Sequence, residues 1–415
     1  MMKRPGLVTS LALMVSCGGT TSEPRQEPVL TSRTLLTVVS GDGQLSKPGS
    51  RLPQPLVVKA TDASGAPLSG VTVTWSVAPG QATVVSASAT TGADGQVAAN
   101  FTTGPTEGIQ EATASTSSDT RVVFQSRAIA TARPIAFGGR VEFSPLKLWM
   151  MNPDGSDMMQ VTTLPAWSPA WSPDGKRLAF MIGTSTSCSS VFGDLFVIDF
   201  GTVTETRLTQ HDNCARVGGP TWSPDGTQIA FLDHANKQIV LIGPDGRGKR
   251  VISIANGVDA SRPIRVADGL LWYRDGSGLL FFGIGGVWAI NADGTGLRQV
   301  QFDARYAAVP LAYSPDGATL AGVQQLVPNT VNSRILLGDP LKLDNAQEVS
   351  GTSGIFAFAW SPSGAQWFAD VYGTTSNPCG LGYPTLVLYD YDNATRKVTE
   401  RKRFTACGAY AAWRP

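Results

Sequence analysis

The pentapeptide Trp171-Ser172-Pro173-Asp174-Gly175 returns as Trp222-Ser223-Pro224-Asp225-Gly226, then as Trp272-Tyr273-Arg274-Asp275-Gly276 and Tyr313-Ser314-Pro315-Asp316-Gly317. It recurs again as Trp360-Ser361-Pro362-Ser363-Gly364 and, cut short, as Trp413-Arg414-Pro415. The steps between copies are 51, 50, 41, 47 and 53 residues. A repeat of about 40 to 50 residues that carries strands and turns is one supersecondary unit, the four-stranded blade of a β-propeller.

The segments between the copies supply the strands. An apolar run follows each Asp-Gly turn, as in Leu178-Ala179-Phe180, Ile229-Ala230-Phe231 and Leu279-Leu280-Phe281. A third strand then runs into a second polar turn, at Leu148 through Gly155 and at Val287 through Gly294, and the fourth carries Arg207-Leu208-Thr209 or its equivalents. The last copy stops at Trp413-Arg414-Pro415 without a second strand. Arg133-Pro134-Ile135-Ala136-Phe137 is a second strand without a first. Joined, the two ends complete one blade, which predicts six blades and sets Ile135 beside Trp413. Closure of this kind removes the free sheet edges that invite aggregation.

These copies resemble the WD40-like PD40 repeats of TolB-like β-propellers, over about Arg133 to Pro415. The resemblance implies a protein-binding propeller of the bacterial cell envelope. The family's namesake has an α/β domain ahead of its propeller and works with a peptidoglycan-associated lipoprotein, whereas this chain has strand-like sequence there.

Composition agrees with an all-β chain. In 415 residues there are 45 Gly and 27 Pro, a turn-rich load that suits many short strands. With 42% hydrophobic and 16% charged residues the chain is neither disordered nor a polytopic membrane protein. Lys and Arg number 33 against 32 Asp and Glu, so no broad field draws it to nucleic acid or anionic lipid.

Three segments precede the repeats. Residues 1–17 read as a secretory signal: Lys3 and Arg4, an apolar run from Leu7 to Val15, then Met14-Val15-Ser16-Cys17. That end is similar to a bacterial lipoprotein lipobox, with Met14 where Leu is usual. The similarity implies a diacylglyceryl group on Cys17 as the chain's sole membrane contact, and Gly18 in place of Asp points to the outer membrane. Residues 18–30 have almost nothing to bury and read as a flexible tether.

From 31 to 129 the chain alternates, as in Leu56-Val57-Val58-Lys59-Ala60 and Val71-Thr72-Val73-Thr74-Trp75-Ser76-Val77, with turn-forming stretches between. About a hundred residues patterned this way make a two-sheet sandwich. Asp62 through Trp75, then Thr91-Gly92-Ala93-Asp94-Gly95, resemble a bacterial immunoglobulin-like (Big-1) domain of the invasin and intimin type, which implies a spacer. Trp75 is expected in the core. The fold class expected for the whole is therefore an immunoglobulin-like β-sandwich followed by a six-bladed β-propeller, residues 133–415.

Strands in a blade alternate in direction, so loops from second to third strand and from fourth strand to the next blade share one face, while the Asp-Gly turns lie on the other. Cys188 and Cys214 occupy those two loop types in one blade, and Cys379 and Cys407 occupy them in the last. Parity pairs Cys188 with Cys214 and Cys379 with Cys407, in a compartment where disulfides are the default. The same face has the longest insertions, as a binding surface on a rigid scaffold requires. Asp212, Arg216, Arg305, Tyr306 and Tyr410 precede first strands there and are the candidate partner-binding residues.

Catalytic signals are sparse. The chain's two histidines, His211 and His234, have Asp212 and Asp233 beside them, but no third ligand is fixed by spacing. No Gly-x-Ser-x-Gly elbow or phosphate loop stands out. The Asp residues of the Pro-Asp-Gly turns read as turn chemistry rather than calcium ligands. The expectation is a monomeric, non-enzymatic lipoprotein without cofactor or metal, binding a protein or peptide of the envelope and no nucleic acid. The alternatives are a propeller hydrolase or lyase acting on a glycan or lactone, and an adhesin that uses the sandwich.

Overall fold

The computed structural model describes residues 34–79, 82–85, 88–117, 120–141, 146–183, 193–210, 218–233, 236–254, 267–283, 286–302, 312–325, 333–339, 342–372 and 384–415. Among these the regular structure is all strand. The protein is an all-β chain.

Residues 35–128 form two sheets. One has the order Leu35–Ser40, Leu56–Thr61, Gln96–Thr103, Ala82–Val85; the other runs Leu45–Ser46, Arg121–Ala128, Gly108–Ser115, Thr72–Val77, Ser88–Thr90. Alternation does the work here. Leu56, Val58 and Ala60 are buried on one strand, and Val97, Ala99 and Phe101 on its neighbour, because successive side chains point to opposite faces. The two inner faces close over Val73, Trp75, Phe101 and Phe124, with the Trp75 and Phe124 rings 5.6 Å apart. Trp75 is a core residue, as its place in the pattern predicts.

The remaining strands build six blades. Blade 2 is Ala166–Trp171, Arg177–Ile182, Asp194–Asp199 and Thr204–Arg207, and blade 3 is Thr221–Trp222, Ile229–Asp233, Gln238–Ile242 and Arg250–Ser253. Blade 4 is Ala267–Trp272, Gly278–Gly283, Gly286–Asn291 and Arg298–Phe302, and blade 5 is Ala312–Tyr313, Leu320–Gln325, Ser333–Asp339 and Lys342–Val349. Blades 6 and 1 share one seven-stranded sheet. Blade 6 takes Ile355–Trp360, Gln366–Tyr372, Pro384–Asp392 and the first part of Lys397–Trp413. Blade 1 takes the end of that same strand, then Ile135–Arg140, Lys147–Met151 and Met159–Gln160.

Ile135 lies opposite Trp413 in this sheet, so the ring closes with its two ends in one blade. The packing gives the same answer. Six apolar clusters sit among the described propeller residues, one at each junction between neighbouring blades, including 5 to 6 and 6 to 1. Each blade is apolar on both faces and too thin to bury either alone, so closing the circle leaves no blade with a bare face.

The sandwich is docked on this ring. Leu45 and Ile129 enter the apolar cluster between blades 1 and 2. Beside them the Arg127 guanidinium, 3% exposed, donates to both carboxylate oxygens of Glu205 on blade 2, at 2.7 and 2.9 Å, and to the carbonyls of Val161 and Gly43. Arg133, at the crossing between the two parts, is held by Glu107 at 2.7 Å and Asp157 at 3.0 Å.

Candidate functional site

Each face of the ring is built by two kinds of connection, first-to-second and third-to-fourth strand turns on one and second-to-third and blade-to-blade connections on the other. On one face the Pro-Asp-Gly turns repeat one hydrogen-bond pattern. The Ser172 hydroxyl donates to Asp174 Oδ1 at 2.6 Å, the Lys176 amide to the same oxygen at 3.1 Å, and the Arg177 amide to the Ser172 hydroxyl at 2.9 Å. Ser223 with Asp225, and Ser314 with Asp316, repeat it. The serine hydroxyl holds each of these carboxyls below the ordinary aspartate range. Gly175 takes φ +65°, which a side chain would disfavour. These carboxylates are engaged in shaping the turn. Among the described residues no group of three or more His, Cys, Asp or Glu is placed to hold a metal ion.

By strand direction the longer connections leave from the opposite face, after Ile182, Arg207, Ser253, Phe302 and Tyr372, and most of their residues lie outside the described ones. Its edges are pinned by a repeated threonine. Leu148, Leu195 and Ile335, near the starts of third strands, donate their amides to the hydroxyls of Thr162, Thr209 and Thr352 at 2.9–3.0 Å. Asp194 is fully buried there, paired with Arg207 at 2.5 Å and accepting from Thr209. Asp233, also buried, accepts from the amide and side chain of Asn236 and so serves a turn.

Of the residues singled out from sequence, Cys17, Cys188, Cys214, Cys379, Asp212, Arg216, Arg305 and Tyr306 lie outside the described residues, as do His211 and His234. Cys407 is disulfide-bonded, with its partner outside them. Tyr410 lies within the strand rather than ahead of it. It sits three residues before Trp413 with φ +61°, where the register with Ile135–Arg140 slips, and Ser168, three before Trp171, takes φ +51° at a similar slip. The Tyr410 amide donates to Asp370, a fully buried carboxyl on the second strand of blade 6. Burial pushes Asp370 up to about 8, against the pull of the Tyr410 and Ala411 amides. Among the described residues its Oδ1 has no hydrogen-bond partner.

A second set of residues, not evident from the sequence, fills the seams between blades on the Pro-Asp-Gly face. Arg414 lies 5.6 Å from the Trp171 ring and donates to the Gly175 carbonyl at 2.7 Å. Arg177 lies 4.9 Å from the Trp222 ring and donates to the Gly226 carbonyl at 3.1 Å. Arg274 reaches the Ser314 and Pro315 carbonyls at 3.4 and 3.2 Å. In all three, a guanidinium from one blade caps the turn of the next through charge-assisted hydrogen bonds, and Arg414 and Arg177 also set a cation over an aromatic face. The seams from blade 3 to 4 and from blade 5 to 6 instead hold clefts of about 410 and 340 Å³. At the position of Arg177 those seams carry Gln228 and Thr319.

Compared with known proteins, the chain matches no family model and no curated protein. It is similar in fold to TolB from Acinetobacter baumannii, at 16% identity over 75% of this chain and 80% of that one, with a TM-score of 0.51. A chain of a nidogen/laminin complex aligns at 12% identity over 68% of this chain and 98% of its own, with a TM-score of 0.50. These similarities bear on the fold, a propeller of the TolB-like kind. The expectation that the chain is not an enzyme is corrected. A putative 6-phosphogluconolactonase from Bacteroides uniformis aligns at 16% identity over 66% of this chain and 96% of its own, with a TM-score of 0.41. Enzymes share the propeller architecture, so sparse sequence motifs do not exclude catalysis.

Proposed function

We propose that the protein is a cell-envelope lipoprotein whose propeller binds a protein or peptide partner through its long-loop face. In this reading Cys17 carries the lipid, residues 18–30 give reach, and the sandwich, an immunoglobulin-like module by its sequence resemblance, is the spacer. The observation that carries the proposal is the unequal build of the two faces. Short, self-satisfied turns close one, while at the other the chain leaves fixed strand ends of a closed ring for its longest connections between strands, the usual arrangement for recognition on a rigid scaffold. The fold similarity to TolB and to a chain of a nidogen/laminin complex supports it as analogy.

The experiment places a photo-crosslinking amino acid at Asp212, Arg216, Arg305 or Tyr306 in producing cells, and at Thr202 or Asp245 on the other face. Protein adducts from the first set, with few from the second, are the expected result. Adducts without face preference, or none, would overturn the loop surface.

A further inference from the structure

We infer that the cleft between blades 5 and 6, on the Pro-Asp-Gly face, is a receptor for an arginine side chain of a partner protein. This surface is opposite the long loops, so the inference does not depend on the reading above.

The protein itself displays the ligand chemistry. Three seams of the ring are filled by its own guanidinium groups, those of Arg414, Arg177 and Arg274, each capping the turn of the following blade through its carbonyl oxygens. Two of the three also lie over that blade's tryptophan, within the distance at which a cation is attracted to the ring face. The seam between blades 5 and 6 keeps the receiving half of this arrangement. It has the motif tryptophan, Trp360, and the turn that ends at Gly364, and among the described residues no arginine reaches the Gly364 carbonyl. The donating half is missing, because Thr319 stands where blade 2 has Arg177 and is too short to cross.

The walls suit a guanidinium. Trp360 and Tyr391 meet edge to face at 5.2 Å, giving two aromatic surfaces beside the opening. Asp316 is the charged residue on the lining, ionised through its bond from Ser314. A cleft of about 340 Å³ is roomy for one such side chain. The seam between blades 3 and 4 is also open, but Arg250 and Arg274 already line it beside Asp225 and Asp275, so a further cation gains less there. A planar, bidentate donor matches these carbonyls better than an ammonium, so arginine is favoured over lysine.

The test titrates the purified full-length chain with the blocked tripeptide Ac-Gly-Arg-Gly-amide, following the tryptophan indole NMR signals, with Trp360 assigned through Trp360→Phe. Lysine and citrulline versions of the peptide are the comparisons. The arginine peptide is expected to shift the Trp360 signal saturably and to bind at least about tenfold tighter than the citrulline peptide, which keeps the shape and loses the charge. Thr319→Arg should fill the seam from within and weaken binding by about tenfold or more, and Asp316→Asn by about threefold. Equal binding of arginine and citrulline peptides, or undiminished binding by a folded Thr319→Arg protein, would overturn the inference. Should Thr319→Arg fail to fold, Asp316→Asn and the citrulline comparison decide between the same two results.

Discussion

Arg127 of the sandwich and Glu205 of blade 2 form a two-pronged ion pair, 2.7 and 2.9 Å, in a seam where the arginine is almost wholly shielded from water. The sandwich is thereby fixed to the propeller rather than hung from it. Since Arg127 also serves the carbonyls of Gly43 and Val161, its position is defined from three sides. Glu205→Ala would leave a buried guanidinium without its counter-ion, at a cost of about 3 kcal/mol. Arg127→Ala should cost a similar amount, by stranding the two carbonyls. In a double-mutant cycle read by urea denaturation, the combined variant should lose clearly less than the sum of the two. Simple additivity would show that the pair is not coupled.

Asp370 should make the propeller weaker in alkali. Its folded pKa, near 8, lies above the ordinary aspartate value because burial penalises the charged form. A raised carboxyl favours folding fully below about pH 4, and that contribution is lost as pH rises through about 8. Melting temperature should therefore fall by several degrees between those limits. Asp370→Asn keeps an acceptor for the Tyr410 amide and should flatten the dependence. An unchanged slope in that variant would remove Asp370 as its cause.

Gly138 is a further point of intolerance. It lies on Ile135–Arg140 where blade 1 meets the inner strand of blade 2, and a Cβ there would stand 2.7 Å from the Trp167 Cα and 3.1 Å from the Ala166 carbonyl oxygen. Backbone atoms cannot swing aside as a side-chain tip can. Gly138→Ala should destabilise by about 1–3 kcal/mol through overpacking, seen as a lowered melting temperature. Gly65, with nothing within 4 Å but φ +87°, should show only the smaller backbone cost of about 1 kcal/mol.

Non-reducing peptide maps should recover Cys188 joined to Cys214 and Cys379 joined to Cys407, with Cys17 absent from both. A fragment joining Cys188 to Cys379 would contradict the parity of the loops. Reduction should lower stability by about 2–4 kcal/mol per bond.

The ring and its closing blade are legible in the sequence because hairpin-turn chemistry is local. Ser172, Asp174 and Gly175 satisfy one another within a few residues, so each copy announces itself. The sandwich strands are legible for the same reason, through alternation. Contacts made across the fold are not. Arg127 and Glu205 are 78 residues apart with no pattern linking them. The seam-filling arginines come from three different offsets within the repeat, at Ser, Pro and post-turn positions, so no column of the repeat contains them. Asp370 was within reach: it falls on the second-strand position held by Met181 and Leu232 in other blades, and a carboxylate there is conspicuous once the repeats are set in register. Placing Tyr410 ahead of its strand misses the slip in pairing that draws its amide to Asp370.

The strand Lys397–Trp413 belongs to two blades at once, and this alters how the molecule comes apart. A linear array of repeats can fray from a terminal unit inward. Here there is no terminal unit: peeling the carboxy-terminal residues away strips the inner strand from one sheet while prising the outer strand from its neighbour. Loss of order at that single suture spreads both ways round the circle, so heat or a pulling force should meet one all-or-none failure instead of a staircase of six.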